Sequence, residues 1–240
     1  MKAIIKRELA SYFRNPVGPM LIGAYGILSG ICFILSVVAN MTTNMSSYFG
    51  VWLYFVNVVF VCLLSFRFFS EEKKNKTDQL LLTAPVSLFS VVMGKFLSAV
   101  IIYSAGSAVN ILYAFVLGTF PNFAKGESIA VSDFIIQFIG ILLVGYAMIA
   151  VALFISSLTE SQIGTVAATF AVLVIMYVAD SVASFLPGWM EAALKSISMY
   201  SRYSDFSVGL LSLAPTVFYI SVAALFVFLT MRMIEKRRWA

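Results

Sequence analysis

Apolar residues run along this chain in six long blocks, and polar residues collect between them. The blocks are approximately Val17–Ala39, Gly50–Phe69, Phe89–Phe120, Asp133–Leu158, Gly164–Leu186 and Ala214–Ile234. Each is near the ~20 residues an α-helix needs to cross the hydrocarbon of a bilayer. Lipid offers the backbone no hydrogen-bond partner, so the pattern predicts an all-α polytopic membrane protein with six transmembrane helices. The third block is long enough to tilt, or to begin as a surface helix. A single transmembrane domain is expected over residues 1–240.

Two shorter stretches carry helical stripes instead. Ile4, Ile5, Leu9, Tyr12 and Phe13 share one face, with Lys2, Lys6 and Arg7 off it, and Asn15-Pro16 ends the pattern. This predicts an interfacial helix over 1–16, acting either as an anchor on lipid phosphates or as a lever that meets a partner. Met190, Ala193, Leu194, Ile197 and Tyr200 mark a second amphipathic helix within 187–213, on the opposite surface. Tyr200, Tyr203 and Phe206 are expected to add an aromatic belt there.

Composition agrees: 61% of residues are hydrophobic, 11% are charged, and mean hydropathy is +0.98. Lipid must therefore be the solvent. The net charge of +5 does not indicate nucleic acid, because the basic residues sit in short blocks between apolar runs. Thirteen of the 16 Lys and Arg fall on one side of the six-span map; Lys125, Lys195 and Arg202 fall on the other. The positive-inside rule then places both termini in the cytoplasm, consistent with a cytoplasmic-membrane protein. Trp52, Trp189 and Trp239 fall near predicted interfaces. No cleavable signal peptide is predicted, since Met1 to Arg14 is charged and amphipathic. Histidine is absent, which removes Ser-His and Cys-His catalysis and the usual His-based metal sites. No two acids form a close pair on one apolar helix, and Cys32 and Cys62 read as small buried hydrophobes.

The richest polar segment joins the second and third spans. Charges cluster over Glu71–Asp78, Leu80, Leu81 and Leu82 follow, Pro85 stops the helix, and Ser87 is placed to cap the next one. A charged helix with an apolar knob suits docking into a groove on another protein; the leucines could instead pack under the neighbouring spans. Inside the spans, Asp180 is either an interfacial acid exposed to water or paired with Arg202, or a contact for substrate or a gate. Asn57, Asn110 and Gln137 suit hydrogen bonds between helices, and Asn57 is also a candidate substrate or gate residue. Gly26 and Gly30, and Ala167, Ala168 and Ala171, offer small faces for close helix approach within the chain or between two copies.

The connection resembles that of ABC-2 type permeases. Arg67, Phe69, Ser70, Glu71 and Glu72 match its first stretch; Leu81, Leu82, Thr83, Pro85, Val86 and Ser87 its second; Gly94, Lys95 and Phe96 its third. Phe154–Gln162 and Leu194–Gly209 look like the gliding-motility and copper-enzyme-maturation branch of that family. The resemblance implies a non-catalytic permease bound to a separate ABC ATPase subunit, which would hold the ATP and Mg. No cofactor is expected in this chain, which lacks a Gly-x-x-x-x-Gly-Lys-Ser/Thr loop. Arg67, Glu71, Glu72, Thr77, Leu80, Leu81, Leu82, Thr83 and Pro85 would be coupling residues in and just before the cytoplasmic coupling segment 70–88, with Thr159 and Glu160 as a smaller contact. A second permease copy or paralogue would complete the unit. Two functions fit: export of an amphipathic cargo, or transmission of force to an external-domain subunit without cargo.

Overall fold

The computed structural model describes residues 2–14, 16–74, 87–119, 131–183, 187–191 and 198–239, and every described element is helical. Helix α1 is Lys2–Arg14 and α2 is Val17–Phe33, which ends in a π-helical turn, Ile34–Val38. A second π-helical turn, Tyr48–Trp52, leads into α3, Leu53–Ser65, and the short α4, Phe69–Lys74, follows. The remaining helices are α5 Leu88–Ser107, α6 Val109–Thr119, α7 Val131–Leu158, α8 Gln162–Ala183, α9 Met199–Ser207 and α10 Leu213–Trp239.

Six helical stretches are long and apolar enough to span a membrane: Val17–Val38, Tyr48–Lys74, Leu88–Thr119, Val131–Leu158, Gln162–Ala183 and Leu213–Arg237. They fall on the six apolar blocks. The long third span is not one continuous helix: it breaks at Ala108. The Asn110 amide donates to the Ser107 carbonyl at 2.8 Å, and the Ile111 amide bonds the Ala108 carbonyl in a tighter turn. Ser87 does cap α5, its hydroxyl accepting from the Ser90 amide.

Helix α7 sits at the centre, packed against α3, α5, α8, α9 and α10. Every residue from Ala147 to Leu153 is at most 1% exposed, so the helix is covered on all sides. Helices α8 and α10 are less enclosed and turn Ile175, Val182, Val217 and Phe228 outward, as lipid-facing helices do. Gly145 permits the closest approach: a Cβ there would lie 2.1 Å from the Tyr103 ring.

Gly26 and Gly30 of the first span pack within the chain. The Tyr113 hydroxyl donates to the Gly26 carbonyl at 2.8 Å and lies 3.0 Å from where a Gly30 Cβ would be. Asn110 bridges helices as expected, accepting from the Tyr48 hydroxyl and donating to Tyr25 at 3.2 Å. Gln137 donates to Ser46 and to the Ser207 carbonyl.

The expected aromatic belt is corrected by the fold. Tyr203 and Phe206 are fully buried in α9, which is tucked between α7 and α8. The Tyr203 hydroxyl donates to the Phe49 carbonyl at 2.8 Å, and Tyr219 reaches up to the Met199 carbonyl at 2.6 Å. Tyr203 can be internal because its hydroxyl finds a backbone acceptor there, and Phe206 has no polar group to satisfy. Trp52 and Trp189 remain exposed.

Candidate functional site

Helix α4 is only six residues long, yet it is tied to four other helices. Its first tie runs to α1 and α5. Lys95, on the first turns of α5, is 4% exposed, and its Nζ lies 2.9 Å from Glu72 Oε1 and 3.4 Å from Glu8 Oε2. The ammonium also sits 5.3 Å above the Phe69 ring. Arg7 Nη2 completes the group, 2.9 Å from Glu8 Oε1 and 3.5 Å from Glu72 Oε1. Two carboxylates thus share two cations at the junction of three helices. Burial pushes the Glu8 carboxyl upward, but Lys95 and Arg7 outweigh it and hold its pKa below the ordinary value. The hydrogen bond that Arg7 donates to Glu8 raises the Arg7 pKa in turn, against burial.

Gly94 makes this junction possible. A Cβ at that position would lie 2.7 Å from Ile4 Cγ2, so a side chain would push α1 away and take Glu8 out of reach of Lys95. Gly94 and Lys95 therefore act as one unit: the first admits α1 and the second holds it.

Arg67, at the turn before α4, adds a further contact. Its Nε donates to Glu71 Oε2 at 3.1 Å, and its two Nη atoms donate to the carbonyl and hydroxyl of Ser11. The guanidinium lies 4.8 Å from the centroid of the Tyr12 ring. The pair of fork and ring suits arginine rather than lysine.

The third tie runs to the end of α7. Lys73 Nζ donates to the carbonyls of Ser156, Ser157 and Thr159, at 3.1, 2.6 and 2.7 Å. A cation at a helix C-terminus satisfies carbonyls that have no partner in the helix and meets the negative end of its dipole. The Ser70 amide donates to Ser156 Oγ at 3.1 Å, and Lys74 donates to Gln162 Oε1 at the start of α8. Thr159 shares a hydroxyl hydrogen bond with Thr165, which closes the turn, and Glu160 stands exposed at its tip.

Of the residues the sequence nominated, the fold brings Arg67, Glu71, Glu72, Thr159 and Glu160 to this one node. Thr77, Leu80, Leu81, Leu82, Thr83 and Pro85 lie outside the described residues, immediately beyond α4. Asn57 and Asp180 lie elsewhere. Asn57 is fully buried in α3, and neither amide atom has a partner among the described residues. Asp180, near the far end of α8, makes no ion pair with Arg202, whose guanidinium stacks 4.2 Å from the Phe218 ring. Asp180 instead helps raise the pKa of the Tyr200 hydroxyl, after burial and Tyr177.

Glu8, Lys73 and Lys95 escaped nomination as site residues. Two of them left a signal. Lys95 is the only charged residue between positions 87 and 119, and Glu8 the only acid in the first 70 residues. A lone charge at the end of an apolar span implies a buried partner. Lys73 left none, because it sits in a run of charges.

Six membrane-crossing helices, with a short helix wired into the bundle at one end, define an all-α multi-pass membrane protein. The family model described as ABC-2 family transporter protein matches residues 5–176, more than half of the 240-residue chain. The chain belongs to the ABC-2 transporter family, as the permease subunit of an ABC transporter. No curated protein sequence matches it.

Proposed function

We infer that this permease, with both termini in the cytoplasm, exports an amphipathic substrate, driven by a separate ABC ATPase that grips the chain between the second and third spans. The observation that carries this reading is the wiring of α4. The segment 75–86 hangs from a helix fastened to α1 and α5 by Glu72, to α1 again by Arg67, and to the α7–α8 turn by Lys73 and Lys74. A displacement applied to that segment reaches four helices through short polar contacts, and packed helices respond by shifting as rigid bodies. The interfacial helix α1 then acts as a lever, since its Arg7 and Glu8 meet Glu72 of α4 and Lys95 of α5.

In this scheme Glu71 and Glu72 work inside the permease. Glu72 holds the node together, and the residues from Thr77 to Pro85 meet the ATPase. Closure of two ATPases on ATP would drive the coupling segments of two permease copies together and open a path between them. Apolar spans with few ionisable groups suit a cargo that is itself largely apolar. A second reading, force passed to an external-domain subunit without cargo, shares the same node. The two readings differ in whether an amphiphile or a protein partner raises ATP turnover.

The test is reconstitution of the permease with its ATPase in vesicles, followed by Lys73→Met and Lys73→Arg. Methionine removes the donor from three carbonyls, and transport should fall at least about tenfold while ATPase binding persists. Arginine should restore part of it. If the wild-type chain never binds an ATPase, or if Leu81→Asp leaves binding intact, the coupling assignment fails.

A further inference from the structure

At the end of the bundle remote from the node, tyrosines from three helices meet beside a carboxylate. Tyr54 of α3 lies 5.2 Å, centroid to centroid, from both Tyr177 of α8 and Tyr200 of α9. Tyr177 and Tyr200 are 4.9 Å apart at 72°, so the cluster offers a ring face as well as an edge. Tyr54 is fully buried and forms the floor, while Tyr177, Tyr200 and Asp180 are half-buried and form the rim. Asp180 is three residues past Tyr177 and shares its side of α8. Burial, Tyr177 and then the Asp180 charge raise the Tyr200 pKa, so the carboxylate is within electrostatic reach of that ring.

Two features leave Asp180 uncompensated. It stands in the last turn of α8, where the helix dipole presents its negative end. It has no ion pair or hydrogen bond among the described residues, because the Arg202 guanidinium stacks on Phe218 instead. The Tyr54 hydroxyl, enclosed at the base of the same cluster, is a second polar group without a partner there. A lone carboxylate beside aromatic faces attracts a cation. One carboxylate supplies too few oxygens for a metal ion, and the described residues hold no group of three or more His, Cys, Asp or Glu that could bind one. Rings in place of oxygen ligands favour a weakly hydrated, alkylated cation.

We propose that Tyr54, Tyr177, Tyr200 and Asp180 form a binding site for an alkylammonium group, with the charge beside the Asp180 carboxylate and the alkyl groups against the tyrosine rings. The depth suits an amphiphile. Asp180 lies about 5 Å from the end of a spanning helix. Ile175, Val178 and Val182 of the same helix face outward, so an alkyl tail can run along the lipid-facing surface. Reading the ammonium as the headgroup of the exported cargo rests on the export proposal above; binding itself does not.

Binding needs no ATPase, so the test is independent of transport. The full chain in dodecyl maltoside is titrated with tritiated decyltrimethylammonium in a scintillation-proximity assay. Saturable binding is expected, displaced by excess choline and not by its uncharged carbon analogue, 3,3-dimethylbutanol. Asp180→Asn should weaken binding about tenfold, and Tyr177→Leu to a similar extent, whereas Tyr177→Phe keeps the ring and should match the wild type. Asp205→Asn removes another acid from the same end and should leave binding unchanged. Should Asp180→Asn fail to fold, Tyr177→Leu tests the same site. Displacement by dihexanoyl phosphatidylcholine would assign the ammonium to a lipid headgroup, and its failure to a free cation; both keep the site. Absence of saturable binding, equal displacement by the uncharged analogue, full binding by Asp180→Asn, or equal loss in Asp205→Asn would each overturn it. Intact ammonium binding without transport of any alkylammonium amphiphile would instead count against the export reading alone.

Discussion

At the end of the bundle that carries the termini, Lys95 and Arg7 meet Glu8 and Glu72; at the other end, Tyr48, Tyr25 and Asn110 meet without a charge. Both networks join three helices; the second is buried throughout, while the first buries Lys95 and leaves Arg7 exposed. Their physical character differs. A hydroxyl network tolerates loss of one member, since each bond contributes only about 1 kcal/mol net. A buried charge cluster is strongly asymmetric, because removing one ion strands another in a low dielectric. The charged end is therefore the more cooperative of the two, and a small displacement there reaches every helix it touches. The uncharged end, with Tyr203 and Phe206 sealed inside, fixes the fold and carries no such lever.

The comparison can be broken most sharply at Lys95. Lys95→Met leaves Glu8 and Glu72 facing each other across α1 and α4, and should cost about 3–5 kcal/mol. Thermal unfolding in detergent and trypsin cleavage at Arg14 read the loss. Adding Glu72→Gln to that variant should recover a substantial part, because the stranded charge is gone. If Lys95→Met alone unfolds and cleaves like the wild type, the cluster does not hold α1.

Acid provides the next test. The folded pKa of Glu8 is lowered, so its contribution is complete above its ordinary value near 4.5. That contribution is lost as pH falls below 4.5 and through the lower folded value. Distances between spin labels at Lys6 and Leu88 should broaden over that range. A label pair across the Tyr48–Asn110–Tyr25 network should stay narrow, since none of those groups titrates there. Broadening of both pairs together would mean that the two ends do not differ in the way described.

The smallest effect belongs to the uncharged end. Tyr203→Phe removes the bond to the Phe49 carbonyl and keeps the ring, and should cost about 0.5–1.5 kcal/mol. A loss comparable to that of Lys95→Met would erase the contrast between the two ends.

Much of this molecule was legible in its sequence. Six spans followed from apolar blocks, because a backbone in lipid has to satisfy itself locally and only length and hydropathy decide where it crosses. Ser87 as a cap was legible for the same local reason. The break at Ala108 was not, since it depends on the Asn110 amide reaching back to Ser107. Nor was the placement of Tyr203 and Phe206, which would fit equally well in an aromatic belt; a backbone acceptor on another segment, the Phe49 carbonyl, drew Tyr203 inward.

The node shows the boundary most clearly. Charge patterning marked the stretch from Glu71 to Asp78, and the family resemblance gave Arg67, Glu71 and Glu72 to the contact with the ATPase. Arg7 and Lys95, the partners of Glu72, lie far away in sequence, as does Ser11, which Arg67 reaches, and no periodicity encodes which charge meets which. The sequence by itself determined how often the chain crosses and which segment leaves the bilayer, because those depend on transfer free energies summed over local windows. Only the tertiary structure decided which charges pair, because that depends on the close approach of α1 at Gly94 and on carbonyls left open at the end of α7.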